Sequence, residues 1–109
     1  MSHHLFSVLI IDDNQQVVDD YKTYLESKSL KVYTSLDGSD GLVQAESHLP
    51  DTILLDLMLP HLNGIETLTS LKMNPKTKDI PVIVITALVE DQQKSTSLEA
   101  GAIEYVCKT

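Results

Sequence analysis

The sequence contains one cysteine, Cys107, and no CxxC pattern. A single cysteine cannot form an intramolecular disulfide, which favours a reducing compartment, and we expect a cytoplasmic protein. The apolar run near the N-terminus is short and has no cationic segment before it, which argues against a signal peptide. No apolar stretch approaches the length that spans a bilayer, so we expect no membrane insertion.

Basic residues are also scarce, since 8 lysines and arginines stand against 16 aspartates and glutamates, and the net charge is −8. Nucleic-acid backbones and anionic membranes both require a basic face, which argues against binding to either of them. A length of 109 residues with 42% hydrophobic residues suits one globular domain, which we assign to residues 1–109. Most of the acidity serves solubility, and three carboxylates described below are the exception.

Short β-branched apolar runs alternate with segments of helical periodicity along the chain. The runs predict strands at 8–11, 30–35, 53–55, 80–85 and 103–107, and the segments predict helices at 14–27, 38–49, 65–73 and 89–100. Strands that alternate with helices indicate right-handed crossovers and a parallel sheet covered by helices on both faces. The continuous apolar character of the runs supports this, because central parallel strands are buried on both sides. The sequence therefore predicts a three-layer α/β domain.

Polar residues lie directly after four of the predicted strands. Asp12 and Asp13 follow the first, Asp56 the third, Thr86 the fourth and Lys108 the fifth. In sheets of this kind, ligands bind beyond the carboxyl ends of the strands. Three carboxylates gathered there repel one another unless a cation neutralises them, and oxygen ligands suit Mg²⁺, with Mn²⁺ as an alternative.

The same residues have the chemistry for phosphoryl transfer. Asp56 would be a carboxylate nucleophile that forms an acyl phosphate, while the metal, Lys108 and the Thr86 hydroxyl would each hold a phosphoryl oxygen. Taken singly, each residue has an ordinary structural explanation, and Asp13 with Asn14 could simply cap the first helix. Their joint placement at one end of one sheet favours the functional interpretation.

Four ordered motifs resemble the receiver domain of two-component response regulators, the CheY-like family. They are VLIIDDN (Val8–Asn14), LLDLMLPHLNG (Leu54–Gly64), PVIVITA (Pro81–Ala87) and AGAIEYVCK (Ala100–Lys108). The resemblance runs from about Leu5 to Lys108. It implies a flavodoxin-like fold with a five-stranded parallel sheet in the order 2-1-3-4-5. It also implies a phosphoacceptor in a two-component or phosphorelay system, which is a signalling protein and not an enzyme.

The resemblance assigns the centre of the site to aspartates. Asp56 would accept a phosphoryl group from a phosphohistidine on a sensor histidine kinase or a histidine phosphotransfer protein, and pass the signal to a downstream protein. The metal would be held by Asp12, Asp13, Asp56 and the backbone carbonyl of Met58.

It also implies a switch around this centre. Thr86 and Lys108 would contact the phosphoryl group, and Tyr105 would turn inward into the space that Thr86 leaves. Met58 and Leu88 match positions that tune the lifetime of the phosphoryl group.

The sequence departs from the family in two places. Thr109 stands where the family usually has proline, so the pose of Lys108 is open. The family usually continues into a fifth helix, which is missing here, so part of one sheet face near the fourth and fifth strands would be bare. A bare apolar face predicts a homodimer, or a chain cut from something longer. No output domain follows, so we expect no direct binding of nucleic acid.

Two other functions are compatible with these residues. One is a Mg²⁺-dependent hydrolase with an aspartyl-phosphate intermediate, although no cap insertion or second acid–base residue is evident. The other is a receiver-like interaction module that is not phosphorylated, although the acceptor set is intact. Among smaller candidates, Cys107 is expected to be a packed side chain, and His48 and His61 lack the cysteine partners of a zinc site. Gly38, Gly41 and Gly64 do not form a phosphate-binding loop.

Overall fold

The structure is a computed structural model that describes residues 5–59, 62–87 and 91–107. Within these residues, strands and helices alternate in the order β1 (Ser7–Ile11), α1 (Gln15–Ser27), β2 (Lys31–Ser35), α2 (Gly38–His48), β3 (Thr52–Leu55), α3 (Gly64–Met73), β4 (Val82–Thr86), α4 (Asp91–Glu99) and β5 (Glu104–Cys107). All strand pairs are parallel, and the sheet order is β2-β1-β3-β4-β5. The predicted flavodoxin-like fold and strand order are therefore confirmed.

The fourth strand begins at Val82, two residues later than the sequence pattern predicts. Pro81 has no backbone N–H to donate to a ladder, so it cannot take part in the strand from its donor side. Its carbonyl instead accepts hydrogen bonds from the backbone N–H of Ile53, at 3.0 Å, and from the Thr52 hydroxyl, at 3.0 Å. The proline thus joins the starts of β3 and β4 while lying outside β4.

The larger core lies between the sheet and the helices α2 and α3. Alternate residues of the central strands point into it, including Leu9, Ile11, Ile53, Leu55, Val82 and Val84, all of which are fully buried. Leu68 and Leu71 of α3 and Ala45 of α2 close this core from the helix side. The alternation follows from the strand period of two, which sends successive side chains to opposite faces.

Among the described residues, the opposite face of the sheet is only partly covered. Of the helices that the structure describes, α1 packs on this face, where Val18 meets Val8 and Ile10 in a small second core. Farther across the sheet, Ile85 is only half-buried and its neighbour Val106 is 43% exposed. Together, Tyr21, Tyr24, Leu25, Leu54 and Ile85 line an apolar cavity of about 250 Å³. We call these five residues with Val106 the open face.

The helix α4 differs from the other three because its buried surface is polar. Ser97 is fully buried, and its hydroxyl donates to the Gln93 carbonyl one turn earlier, at 2.8 Å. The predicted fourth helix began at Val89, which lies outside the described residues, and α4 is described from Asp91. In the described part of the chain, no helix combines the length and apolar character needed to cross a bilayer.

Candidate metal centre

The register between β1 and β3 brings two aspartates together at the carboxyl edge of the sheet. Ile11 lies beside Leu55 in the ladder, so the next residues, Asp12 and Asp56, leave the sheet side by side. The backbone N–H of Asp56 donates to the Ile11 carbonyl at 2.9 Å and fixes this placement. Both aspartates are buried, with exposed fractions of 3% for Asp12 and 7% for Asp56.

Asp13 completes a cluster of three carboxylates. Oxygen atoms of Asp12, Asp13 and Asp56 all lie within 4.8 Å of one another, and Asp13 is the exposed member. Two unit charges about 5 Å apart repel each other by roughly 3 kcal/mol at an effective dielectric constant of about 20. An all-oxygen donor set with an open side matches what Mg²⁺ requires, because Mg²⁺ keeps several waters and binds through a few carboxylates. The residues present therefore fit a divalent cation.

Each buried carboxylate also organises the loop that follows it. Asp12 accepts a hydrogen bond from the backbone N–H of Asn14 at 3.0 Å, and Asp56 accepts one from the N–H of Met58 at 3.1 Å. The N-cap of α1 is Asn14, whose side chain accepts from the N–H groups of Gln16 and Val17. Capping is therefore carried out by Asn14, and Asp13 is available to face the other two carboxylates.

The loop after Asp56 is anchored on both sides of Met58. Leu57 and Leu59 are buried in the larger core, while Met58 between them is 55% exposed. The alternation holds the backbone of this loop against the protein and turns the Met58 side chain toward solvent. The Met58 backbone, whose carbonyl is a predicted metal ligand, thus lies next to the carboxylate cluster.

Gly64 lets the start of α3 pack directly against the backbone of Asp56 and Leu57, a role that the sequence pattern did not predict. A Cβ atom at Gly64 would lie 2.3 Å from the Leu57 Cα and 2.5 Å from the Asp56 carbonyl oxygen. The N–H of Gly64 also donates to the Leu57 carbonyl at 3.0 Å. A glycine directly after Asn63, which caps α3, was the available signal, since a glycine within a helix is otherwise unfavourable.

Thr86 and Tyr105 lie on adjacent strands and point to the same face of the sheet. Thr86 ends β4 and is fully buried, whereas Tyr105 is half-buried and packs against the larger core. The register pairs Val84 with Tyr105 and Thr86 with Cys107, so all four side chains project to the α2–α3 side. Cys107 is a half-buried neighbour of Thr86.

Several predicted positions lie outside the described residues, namely Leu88, Lys108, Thr109 and His61. His48 is described and stacks on Tyr33, with ring centroids 3.9 Å apart and an interplanar angle of 10°. Among the described residues, Asp12, Asp13 and Asp56 are the acidic, histidine or cysteine side chains that lie close enough together to hold a metal ion. His48 does not belong to this cluster.

The chain is similar to proteins of known class in sequence and in structure. Its residues 8–109 match the family model described as the response regulator receiver domain. The response regulator ArlR of Staphylococcus aureus is 38% identical over 101 residues, which are 93% of this chain and 45% of ArlR. The chain therefore spans about half the length of the curated relatives it matches.

Two solved structures show the likeness in three dimensions. The chemotaxis protein CheY4 of Vibrio cholerae superposes with a TM-score of 0.91 at 24% identity, over 96% of this chain and 88% of CheY4, and at this identity the likeness concerns the fold. The CheX–CheY–BeF₃–Mg²⁺ complex of Borrelia burgdorferi superposes with a TM-score of 0.89 at 28% identity, over 95% of this chain and 78% of the matched chain.

The family model covers nearly the whole chain, the strand order agrees, and the aspartates gather where the fold places ligands. The chain is a response regulator receiver domain.

Proposed function

We propose that this chain is a phosphoacceptor switch in which Asp56 is phosphorylated with the help of Mg²⁺. The observation that carries the proposal is the cluster of Asp12, Asp13 and Asp56, whose carboxylate oxygens lie within 4.8 Å of one another at the carboxyl edge of the sheet. The phosphoryl donor would be a phosphohistidine on a sensor histidine kinase or a histidine phosphotransfer protein, and the site of action the cytoplasm. The Borrelia burgdorferi relative solved with Mg²⁺ and BeF₃ supports this assignment by similarity.

The transfer uses Asp56 as the nucleophile. An Asp56 carboxylate oxygen forms a bond to phosphorus while the nitrogen–phosphorus bond of the phosphohistidine breaks and leaves a neutral imidazole after protonation. Asp12, Asp13, Asp56 and the Met58 carbonyl would hold the Mg²⁺, which supplies positive charge for the phosphoryl oxygens when it is bound. The Met58 N–H donates a hydrogen bond of 3.1 Å to the Asp56 carboxylate, which helps to orient that carboxylate beside the other two aspartates.

Thr86 and Lys108 would contact the oxygens of the new phosphoryl group. Phosphorylation adds negative charge and acceptor oxygens, which attract a hydroxyl and an ammonium group. Thr86 would move toward the phosphoryl group, and Tyr105 would occupy the space it leaves. The shared face of Thr86 and Tyr105 supports this coupling, because the register puts them in diagonal positions on adjacent strands, one pair apart.

Two neighbouring positions would set how long the phosphoryl group persists. Met58 is exposed and its backbone N–H contacts Asp56, so its side chain would border the path of water to the acyl phosphate. The assignment of Leu88 rests on its motif position, immediately after Ala87.

A signalling role is favoured over the two other functions. A hydrolase with an aspartyl-phosphate intermediate needs a substrate pocket and a second acid–base residue besides the metal ligands, and the sequence shows no cap insertion and no histidine or glutamate directly after a predicted strand. A receiver-like module without phosphorylation has no need of three converging carboxylates, which destabilise the fold when no cation is bound. The downstream partner would be a protein, because the charge of −8 opposes contact with nucleic acid.

The proposal is tested by incubating the chain with a small phosphodonor and measuring its intact mass. We expect the mass gain of one phosphoryl group in the presence of Mg²⁺ and none with a chelator, because the clustered carboxylates repel an anionic donor until a cation neutralises them. Restoring excess Mg²⁺ to the chelated sample controls for damage. A gain of mass that is equal with and without the metal would contradict the proposed metal centre, and no gain under any condition would contradict the phosphoacceptor role.

We further propose that the open face joins two copies of this chain. Its lining residues carry no charge, so the open faces of two copies can pack together without charged side chains of opposite sign on the partner. Each copy carries a net charge of −8, and salt screens that repulsion while it leaves apolar contact intact. We therefore expect the dimer fraction in sedimentation experiments to rise with ionic strength.

Val106→Lys is the variant that tests this dimer, since it puts a charge on the open face at a position that is already 43% exposed. The matched control is Leu98→Lys on α4, where the side chain is 41% exposed. Loss of the dimer in Val106→Lys alone supports the open face as the interface. Dimers that persist in Val106→Lys, or a monomer at every salt concentration, would refute it.

A further inference from the structure

The backbone of Met58 lies beside the carboxylate cluster, and its thioether side chain is exposed to solvent. The side chain is 55% exposed, whereas its neighbours Leu57 and Leu59 are exposed by only 6% and 9%. The Met58 N–H donates to the Asp56 carboxylate at 3.1 Å, so the backbone from which the Met58 side chain extends is in direct contact with the phosphoacceptor. Solvent and small oxidants can therefore reach the sulfur without any movement of the core.

We propose that Met58 is a reversible oxidation site, and that its oxidation by hydrogen peroxide shortens the lifetime of the phosphoryl group on Asp56. This inference rests on the phosphoacceptor role proposed above. A sulfur lone pair attacks one peroxide oxygen, so that the sulfur–oxygen bond forms while the oxygen–oxygen bond breaks and hydroxide departs. The hydroxyl now on sulfur gives its proton to that hydroxide, which leaves as water, and the sulfoxide remains. The sulfur is oxidised to a sulfoxide and the peroxide is reduced.

The change in polarity explains the effect on the lifetime. A thioether is a weak hydrogen-bond acceptor and offers water little at the mouth of the site. A sulfoxide in the same place is polar and accepts hydrogen bonds, so it holds a water molecule beside the acyl phosphate. Hydrolysis needs a water positioned against phosphorus, and a better-held water reacts faster. We therefore expect the lifetime of the phosphorylated chain to fall several-fold after oxidation.

Met73 provides a matched comparison within the same chain. It is 77% exposed, more than Met58, and it is the last residue of α3. The helix α3 begins at Gly64 near Asp56 and has 10 residues, so Met73 lies roughly 13 Å along the axis from that start. Peroxide should oxidise both methionines, and only the one beside Asp56 should change the lifetime.

The experiment treats the wild-type chain, Met58→Leu and Met73→Leu with hydrogen peroxide, and maps oxidised residues by peptide mass. Each chain is then phosphorylated with a small donor and Mg²⁺, and the decay of the phosphorylated mass is followed after the donor is removed. Each chain is compared with its own untreated sample. We expect a shorter lifetime after peroxide in the wild type and Met73→Leu and no change in Met58→Leu, with recovery after methionine sulfoxide reductase.

A second variant tests the polarity argument without an oxidant. Met58→Gln places a polar acceptor of similar length there, and its lifetime should be shorter than that of Met58→Leu. A lifetime that is unchanged when Met58 is oxidised would overturn the proposal, as would an equal loss in Met58→Leu, which would assign the effect to another group such as Cys107. If untreated wild type takes up no phosphoryl group, the proposed function itself fails, while the peptide map still decides whether Met58 is an oxidation site.

Discussion

Asp56→Asn will prevent the uptake of a phosphoryl group from a small donor in the presence of Mg²⁺. The amide that replaces the carboxylate is neutral and is not a nucleophile toward phosphorus. The substitution keeps the shape of the side chain, and the amide oxygen can still accept the hydrogen bond from the Met58 N–H, which is 3.1 Å long in the wild type. The loop should therefore keep its position while the chemistry is lost.

The same variant has a second expected effect, on stability without metal. Removing one negative charge from a cluster whose oxygens lie within 4.8 Å of one another relieves repulsion. The free energy of unfolding of Asp56→Asn in chelator should exceed that of the wild type by about 1 kcal/mol or more. Thermal or urea unfolding measures this difference.

Asp20→Asn is the control for both measurements, since Asp20 is an exposed residue of α1 outside the cluster. It should accept a phosphoryl group like the wild type and gain no comparable stability. Phosphorylation of Asp56→Asn at the wild-type level would place the acceptor elsewhere. A loss of stability in chelator would show that the carboxylates do not repel one another strongly.

Gly64→Ala should be the most disruptive small substitution near the site. Its Cβ would lie 2.3 Å from the Leu57 Cα and 2.5 Å from the Asp56 carbonyl oxygen, and backbone atoms cannot rotate aside. Either α3 or the 56–57 backbone must shift, which costs about 3 kcal/mol on the scale of overpacked cores. Because the 56–57 backbone carries Asp56 and would be pushed by the new Cβ, the affinity for Mg²⁺ should fall together with the stability.

Gly41→Ala separates crowding at the site from crowding in general. Its Cβ would meet the Ile11 side chain, with the Cδ1 atom at 2.6 Å, and alanine at this position inside α2 also favours the helix by about 1 kcal/mol. We expect a smaller loss of stability and an unchanged Mg²⁺ affinity. Urea unfolding and a Mg²⁺ titration decide the matter, and a Gly64→Ala chain that matches the wild type in both would contradict the supporting role of Gly64.

The sequence predicted the strands and the position of the aspartates well, because apolar runs and the acidic residues after them each have one main structural explanation. Apolar runs marked the strands, and the aspartates after two of those runs could be placed at one edge, because parallel strands end together. The contact between Asp12, Asp13 and Asp56 followed from the order of the strands, which the motifs implied.

Features that depend on close approach between distant segments could not be read from the pattern. The role of Gly64 arises from the backbone at Asp56 and Leu57, which it meets only after folding. The late start of β4 follows from the missing N–H of Pro81, which keeps this residue out of the strand although its carbonyl accepts hydrogen bonds from the start of β3. The helix α4 has no apolar stripe in its sequence, because the residue that it buries is Ser97. This serine can be buried since its hydroxyl donates to the Gln93 carbonyl of the same helix.

The alignment of Ile11 with Leu55 has a consequence for how the chain reaches its working state. A slip of one residue between β1 and β3 would send Asp12 or Asp56 to the opposite side and move it by about 3.3 Å along the strand. A misaligned intermediate would then lack the aspartate trio, and a divalent ion would bind only chains whose strands are properly matched. Magnesium in the folding buffer would thus favour chains with the correct register between β1 and β3. The ion would stabilise this register because it binds the native state and not the misaligned one.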